Sequence, residues 1–158
     1  MLTMTHVHFI GIGGSGLSAI ARLLKESGYE VSGSDRLYSP FAEDLQKQGI
    51  TIHLGHQPQY IRGADWVVRS SAVTDENPEV KAALQAGIPV YKRADFLGQL
   101  MAGKNGIAVA GTHGKTTTTA MIAWMLHALN RDPSFIVGGM VNNLMVNARA
   151  GKGETFVI

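Results

Sequence analysis

Two short glycine-rich segments carry residue types that handle phosphate. Residues 11–16 read Gly-Ile-Gly-Gly-Ser-Gly, a G-x-G-x-x-G pattern through Gly11, Gly13 and Gly16. In such a turn the first glycine makes the bend, the second admits a diphosphate to the backbone, and the third lets the following helix pack close. The helix start then offers free N–H groups and a positive dipole end. Asp35 follows Gly16 by 19 residues, the spacing at which an acid reaches ribose hydroxyls. A glycine-rich turn without a ligand, with Asp35 as a helix cap or a solvated strand end, is the competing reading. The second segment, residues 108–117, reads Ala-Val-Ala-Gly-Thr-His-Gly-Lys-Thr-Thr. Its centre, Gly114-Lys115-Thr116, has the chemistry of a phosphate loop. Backbone N–H groups cradle phosphates, the lysine reaches the β and γ oxygens, and the threonine hydroxyl holds Mg²⁺. The usual pattern has glycine at 109, where this chain has Val109, so Gly111 is left to supply the turn.

The elements that must position these loops alternate between strand and helix. His6 to Ile10 is a short apolar run that ends in the first glycines. Leu17, Ile20, Ala21 and Leu24 then share one helical face, and Gly28 is a C-terminal stop. Strands are expected at Glu30–Gly33, Thr51–Leu54, Asp65–Arg69 and Ile88–Tyr91. Ser39-Pro40 and Asn77-Pro78 open helices as cap plus first-turn proline, and Gly49 and Gly87 close them. Val80, Ala83 and Leu84 are expected to face inward, and a further helix runs from Ala94 to Met101. Such alternation predicts βαβ units and a parallel sheet.

Residues 102–106 form the best linker, and the pattern then starts afresh. A strand is expected at Ile107–Ala110, a helix from Lys115 to about Asn130, and strands at Phe135–Val137 and Thr155–Ile158. The helix is apolar nearly all round, so Met121, Trp124 and Met125 are expected in a core. The domains are therefore residues 1–103 and 104–158, the second expected to be cut short.

Composition narrows the function classes. The chain has 158 residues, 45% hydrophobic and only 16% charged, which suits a packed core and excludes wholesale disorder. The net charge is +2 with no Lys/Arg-rich run, so no nucleic-acid partner is expected. Cysteine is absent, which excludes disulfide scaffolds and thiolate metal sites and fits a cytoplasmic location. The longest apolar stretch, Ala120 to Leu126, is too short for a membrane span, and the segment MLTMTHVHF has no positive n-region, so neither a membrane partner nor a signal peptide is expected.

Two different nucleotide loops in one chain suit an enzyme that activates a nucleotide-linked substrate with ATP. Ala-x-x-Gly-Thr-x-Gly-Lys-Thr-Thr at Ala108–Thr117 resembles the ATP-binding signature of the Mur ligases of peptidoglycan synthesis. The opening His-Val-His-Phe-Ile-Gly-Ile-Gly-Gly-Ser-Gly-Leu-Ser resembles that family's UDP-binding domain, as do Gly33-Ser34-Asp35, Ser70-Ser71-Ala72, Asn77-Pro78-Glu79 and Arg93-Ala94-Asp95. The likeness runs from His6 to Ile158. It implies an α/β fold: a Rossmann-like parallel-sheet domain, then the start of a P-loop-type α/β ATPase domain. It implies an ATP-dependent acid–amino-acid ligase acting on UDP-N-acetylmuramate and L-alanine through an acyl phosphate, in cell-wall biogenesis linked to cell shape, cell cycle and division. A peptide-recycling member of the family is the alternative.

The resemblance also implies residue roles. Gly111, Thr112, His113, Gly114, Lys115, Thr116 and Thr117 would bind ATP. Lys115 and Thr116 would be catalytic, with Thr116 on Mg²⁺. Gly11, Ile12, Gly13, Gly14, Ser15 and Gly16 would hold the diphosphate, Asp35 the uridine, and Ser70 and Ser71 would line the nearby strand end. The family continues past Phe-Val-Ile into an acidic segment with a magnesium ligand, and more often has glutamate at Asp95. Binding without turnover is therefore expected of these residues alone. A nicotinamide-dependent oxidoreductase would use Gly11 to Asp35 but has no use for Lys115-Thr116, and a non-catalytic nucleotide-binding module is the third reading. Outside the loops, His53 and His56 are expected in a solvated loop rather than a metal site, His6 and His8 in structural roles, and Arg62 and Arg69 at the surface.

Overall fold

A computed structural model of the protein describes residues 4–158. The chain divides into two compact units, Met1–Leu97 and Gly98–Ile158. The division falls inside a helix, ahead of the 103/104 boundary expected from the linker.

The first unit carries five parallel strands: β1 (His6–Ile10), β2 (Glu30–Asp35), β3 (Thr51–Leu54), β4 (Trp66–Arg69) and β5 (Val90–Lys92). Their order is β3-β2-β1-β4-β5, every neighbour pair parallel. The chain moves outward from β1 through β2 to β3, then returns to the other side of β1. That reversal opens a crevice beyond the carboxyl ends of β1 and β4, the place where open α/β sheets bind ligands. Helices α1 (Ser15–Glu26), α2 (Pro40–Lys47), α3 (Pro78–Gln85) and α4 (Arg93–Met101) connect the strands, α4 running across the division between the units.

The caps act as the sequence predicts. Ser39 accepts the Ala42 N–H at α2, and Asn77 accepts the Glu79 N–H at α3. Val7, Phe9, Ile10, Ile20, Leu24, Val67 and Val68 are buried in the core. Each such side chain contributes about 1.5–3 kcal/mol on burial. Phe96 closes the core edge-on against Phe9, with ring centroids 6.4 Å apart. Leu84 departs from expectation and is 60% exposed, because the short α3 buries only Glu79, Val80 and Ala83.

The second unit holds β6 (Asn105–Ile107), α5 (Lys115–Ala128), β7 (Ser134–Val141), β8 (Val146–Arg149) and β9 (Thr155–Val157). The sheet order is β6-β9-β7-β8, parallel except for the β7–β8 hairpin. The strand expected at 107–110 starts two residues earlier, because Asn105 and Gly106 pair with Thr155 and Phe156. The expected burial of α5 is also overturned. Met121 is 64% exposed, Trp124 and Met125 are exposed too, and only Thr119 and Ala123 are fully buried. Within this unit α5 packs one face on β7 and β9, and Met121, Met125 and Leu129 are exposed.

Candidate functional site

The first glycine loop packs where β1, β2 and β4 end. Gly11 turns the chain at φ +86°, in the region glycine favours. Its N–H and that of Ile12 both donate to the Ser34 carbonyl, at 2.8 and 3.1 Å. A Cβ on Gly33 would come within 2.5 Å of Ile12 Cδ1, so that glycine lets the loop lie on β2. Gly13 donates its N–H to Asp35 Oδ2 at 2.8 Å, and Ser39 Oγ donates to the Gly13 carbonyl at 2.8 Å. A Cβ on Gly16 would meet Arg93 Nε at 2.8 Å, which places that guanidinium against the start of α1.

These bonds sort the loop's donors. The N–H groups of Gly11, Ile12 and Gly13 are already engaged. Those of Ser15, Gly16 and Leu17 have no partner among the described residues, and the first helical bond is from Ser18 to the Gly14 carbonyl. The donors that this loop leaves free are therefore gathered in the first turn of α1, where a helix dipole favours negative charge. Ile12 offers the crevice neither side chain nor N–H, since its side chain is fully buried.

A cleft of about 570 Å³ opens here, lined among others by Gly11, Gly13, Gly14, Asp35, His56 and Ser70. Ser71 lines a smaller, adjoining recess with Arg69 and Lys92, which shares Ser70 with the cleft. Arg69 is not a solvated surface group. Its guanidinium donates to the Val73 carbonyl at 2.9 Å and pairs with Asp75 at 2.6 Å, bracing the loop after β4.

Beneath the cleft lies a polar network that the sequence did not reveal. Glu79, in the first turn of α3, is fully buried. His8 Nε2 and Ser34 Oγ both approach its Oε2 at 2.8 Å, and His56 Nδ1 approaches its Oε1 at 2.9 Å. His8 Nδ1 and His6 Nε2 each lie 2.7 Å from Ser32 Oγ. Burial pushes the His8 imidazole below its ordinary value, against the pull of Glu79. Burial also acts to raise the Glu79 carboxyl, but hydrogen bonds from His8, Ser34 and His56 outweigh it and hold it below the usual carboxylate range. The pair is thus a neutral imidazole donating to a carboxylate, at a helix N-terminus that favours the negative charge. The expected solvated position of His56 is corrected: its side chain is only 11% exposed and is anchored on Glu79. His53 stacks on Tyr60 with ring centroids 4.0 Å apart. Among the described residues no cluster of His, Cys, Asp and Glu could hold a metal. A carboxylate at the second helical position after an Asn-Pro cap, in a chain with a histidine inside β1, is the sequence signal that could have found this network.

The second loop, in the other unit, is exposed from Gly111 to Thr118. Gly111 sits at φ +151° and Gly114, the N-cap of α5, at φ +76°. Lys115 Nζ curls back to donate to the Gly111 carbonyl at 2.6 Å and lies 3.4 Å from that of Thr112. The N–H groups of Lys115, Thr116 and Thr117 have no partner among the described residues, and the first helical bond is from Thr118 to Gly114. Three free N–H groups, a helix dipole and a lysine within reach of the loop fit the phosphates of a nucleotide. The Thr116 hydroxyl is an oxygen donor of the kind Mg²⁺ accepts, and it would hold that ion if a nucleotide brought it to the loop. Gly138 and Gly139 of β7 admit Thr116, since a Cβ on either would come within 3.2 Å of its side chain.

The model of the Mur ligase family, catalytic domain, matches residues 6–105. The chain is 51% identical over 154 residues to a UDP-N-acetylmuramate–L-alanine ligase of Neisseria meningitidis, covering 98% of this chain but 33% of that protein. It thus spans about a third of the length of the curated relatives it matches. The crystal structure of UDP-N-acetylmuramate–alanine ligase from Thermotoga maritima superposes with a TM-score of 0.87 at 35% identity, covering 96% of this chain and 36% of that one. The UDP-N-acetylmuramate:L-alanyl-γ-D-glutamyl-meso-diaminopimelate ligase of Neisseria superposes with 0.88 at 33% identity, covering 98% of this chain and 52% of that one. With a family model covering more than half of its residues, the chain belongs to the Mur ligase family.

Proposed function

We propose that this chain supplies the UDP-sugar-binding domain and the opening of the ATP-binding domain of an ATP-dependent ligase that joins L-alanine to UDP-N-acetylmuramate in the cytoplasm. The observation that carries the reading is the pair of unpaired N–H triads, at α1 and at α5, each opening a helix behind a glycine turn. An alanine-adding role is favoured over peptide recycling by the 51% identity to an alanine ligase.

In this reading the muramic lactyl carboxylate attacks the γ-phosphorus of ATP, releasing ADP and leaving an acyl phosphate. The alanine amine then attacks the acyl carbon, loses a proton, and displaces phosphate. The first turn of α1 holds the substrate's diphosphate, and Asp35 faces the ribose across the cleft. Lys115 meets the negative charge that grows on the transferred phosphoryl group, and Thr116 holds Mg²⁺. Positioning and preorganised charge supply the rate gain.

Calorimetric titration tests the first half. UDP-N-acetylmuramate should bind the first unit measurably and NAD poorly; tighter NAD binding would overturn the proposal and favour an oxidoreductase. Gly13→Val should abolish UDP-sugar binding. A Cβ at Gly13 would lie 2.9 Å from Ser39 Oγ and 3.0 Å from Asp35 Oδ2, so the branched side chain displaces both clamps as well as filling the cleft. The overpacking should also lower stability by about 1–3 kcal/mol, read as a shifted denaturation midpoint. Unchanged affinity in the folded variant would place the diphosphate elsewhere.

A further inference from the structure

The network below the cleft fixes the direction of every hydrogen bond it contains. The Glu79 carboxylate, held ionised by its surroundings, can only accept. His8 Nε2, Ser34 Oγ and His56 Nδ1 must therefore each present a hydrogen to it. Ser34 spends its only hydrogen on Glu79, so its oxygen, 3.0 Å from His56 Nδ1, also accepts there. Two acceptors converge on one nitrogen of His56, and the proton sits on Nδ1. A neutral ring with Nδ1–H carries its lone pair on Nε2. That nitrogen has no partner among the described residues, and His56 lines the cleft with Asp35 and Gly13.

We propose that Glu79 is a positioning residue that locks His56 as a hydrogen-bond acceptor in the cleft, so that Nε2 takes a donor of the bound nucleoside. The donor is either the imide N–H of a uracil-type base or a ribose hydroxyl. Cytosine presents a lone pair at the equivalent ring nitrogen and would face His56 acceptor to acceptor. The inference rests on the reading of the cleft as a nucleotide site, and it adds what sets the selectivity of that site. Second-layer carboxylates orient imidazoles in this way at metal centres, where they fix the tautomer; here the exposed nitrogen faces a ligand instead.

The test uses the full-length protein with UDP, CDP and the 2′- and 3′-deoxy analogues of UDP, by calorimetry. If the base is the donor, UDP should bind about tenfold or more tighter than CDP, while the deoxy analogues match UDP. If the ribose is the donor, CDP should match UDP and one deoxy analogue should lose about tenfold. In either case the preference should vanish in His56→Phe. Glu79→Gln can turn its amide N–H₂ toward Nδ1, which frees Nδ1 to accept and moves the ring proton to Nε2. That variant should weaken the preferred ligand and, in the base case, raise CDP relative to UDP. Nitrogen-15 shifts of the His56 ring in the wild type should report protonated Nδ1 and bare Nε2, a readout that a merely structural role for Glu79 would not determine. A His56 ring protonated on Nε2, or a ligand preference that survives His56→Phe, would overturn the proposal even if Glu79→Gln fails to fold. Absence of UDP binding to the wild type would instead overturn the nucleotide reading on which it stands.

Discussion

If the proposed ligase activity holds, replacing Lys115 with alanine in the full-length protein should lower turnover by about 10²–10³-fold while leaving UDP-sugar affinity unchanged. Lys115 lies in the second unit, at the first residue of α5, and the cleft below Gly13 belongs to the first. Its ammonium group now caps the Gly111 and Thr112 carbonyls, which holds it over the loop where phosphates would enter. Those carbonyls are weaker partners than a phosphoryl oxygen gaining charge, so the lysine's largest contribution falls on the transition state. Lys115→Gln separates brace from charge. It keeps a donor for the Gly111 carbonyl but no cation, and it should lose nearly as much rate as alanine. The measurement is phosphate release and UDP-sugar titration on the same preparation. Surviving turnover would remove Gly114-Lys115-Thr116 from phosphoryl transfer, and a parallel fall in UDP-sugar affinity would show that the ligands are assigned to the wrong units.

The loops and the βα alternation were readable because each rests on local chemistry. Ser39-Pro40 and Asn77-Pro78 start helices by capping, and Gly28, Gly49 and Gly87 end them with positive φ, all within a few residues of sequence. Elements that depend on distant partners were not readable in the same way. Residues 107–110 are more apolar than Asn105-Gly106, yet β9 pairs with Asn105–Ile107. β8 has no legible signal in the sequence, because Val146-Asn147-Ala148-Arg149 has no strong pattern and forms a strand through its hairpin with β7. The apolar surface of α5 shows what a helix could bury, whereas burial depends on what lies opposite, and Met121 and Leu129 remain exposed. The site divides in the same manner. Glycine spacing announces a phosphate loop, but which N–H groups are free depended on Ser34 and Asp35 reaching back to Gly11, Ile12 and Gly13. The Glu79 network joins residues 71 and 23 positions apart, from β1, α3 and the loop after β3, and no periodicity encodes such a meeting.

Acid should destabilise the first unit in two stages, both traceable to that network. His8 has its folded pKa pushed below the ordinary 6.5, so below that pH the unfolded chain takes up a proton that the folded chain refuses. Stability therefore rises with pH through this window and is lost as pH falls below it. Glu79 is likewise held below its ordinary 4.5, so its contribution is present above that value and lost as pH falls through it toward the folded pKa. The two effects have the same sign, and a denaturant midpoint measured from about pH 7.5 down to about pH 3 should begin to fall near the ordinary His8 value and fall further below that of Glu79. Glu79→Ala removes the acceptor from two buried donors, His8 Nε2–H and Ser34 O–H. At neutral pH it should cost roughly 2–6 kcal/mol, on the order of 1–3 for each stranded donor. Glu79→Gln keeps the shape and removes the carboxylate, so it should abolish the lower stage while the His8 stage persists. An acid profile in Glu79→Gln identical to that of the wild type would show that Glu79 does not titrate on unfolding, and that the buried charge assigned to it is absent.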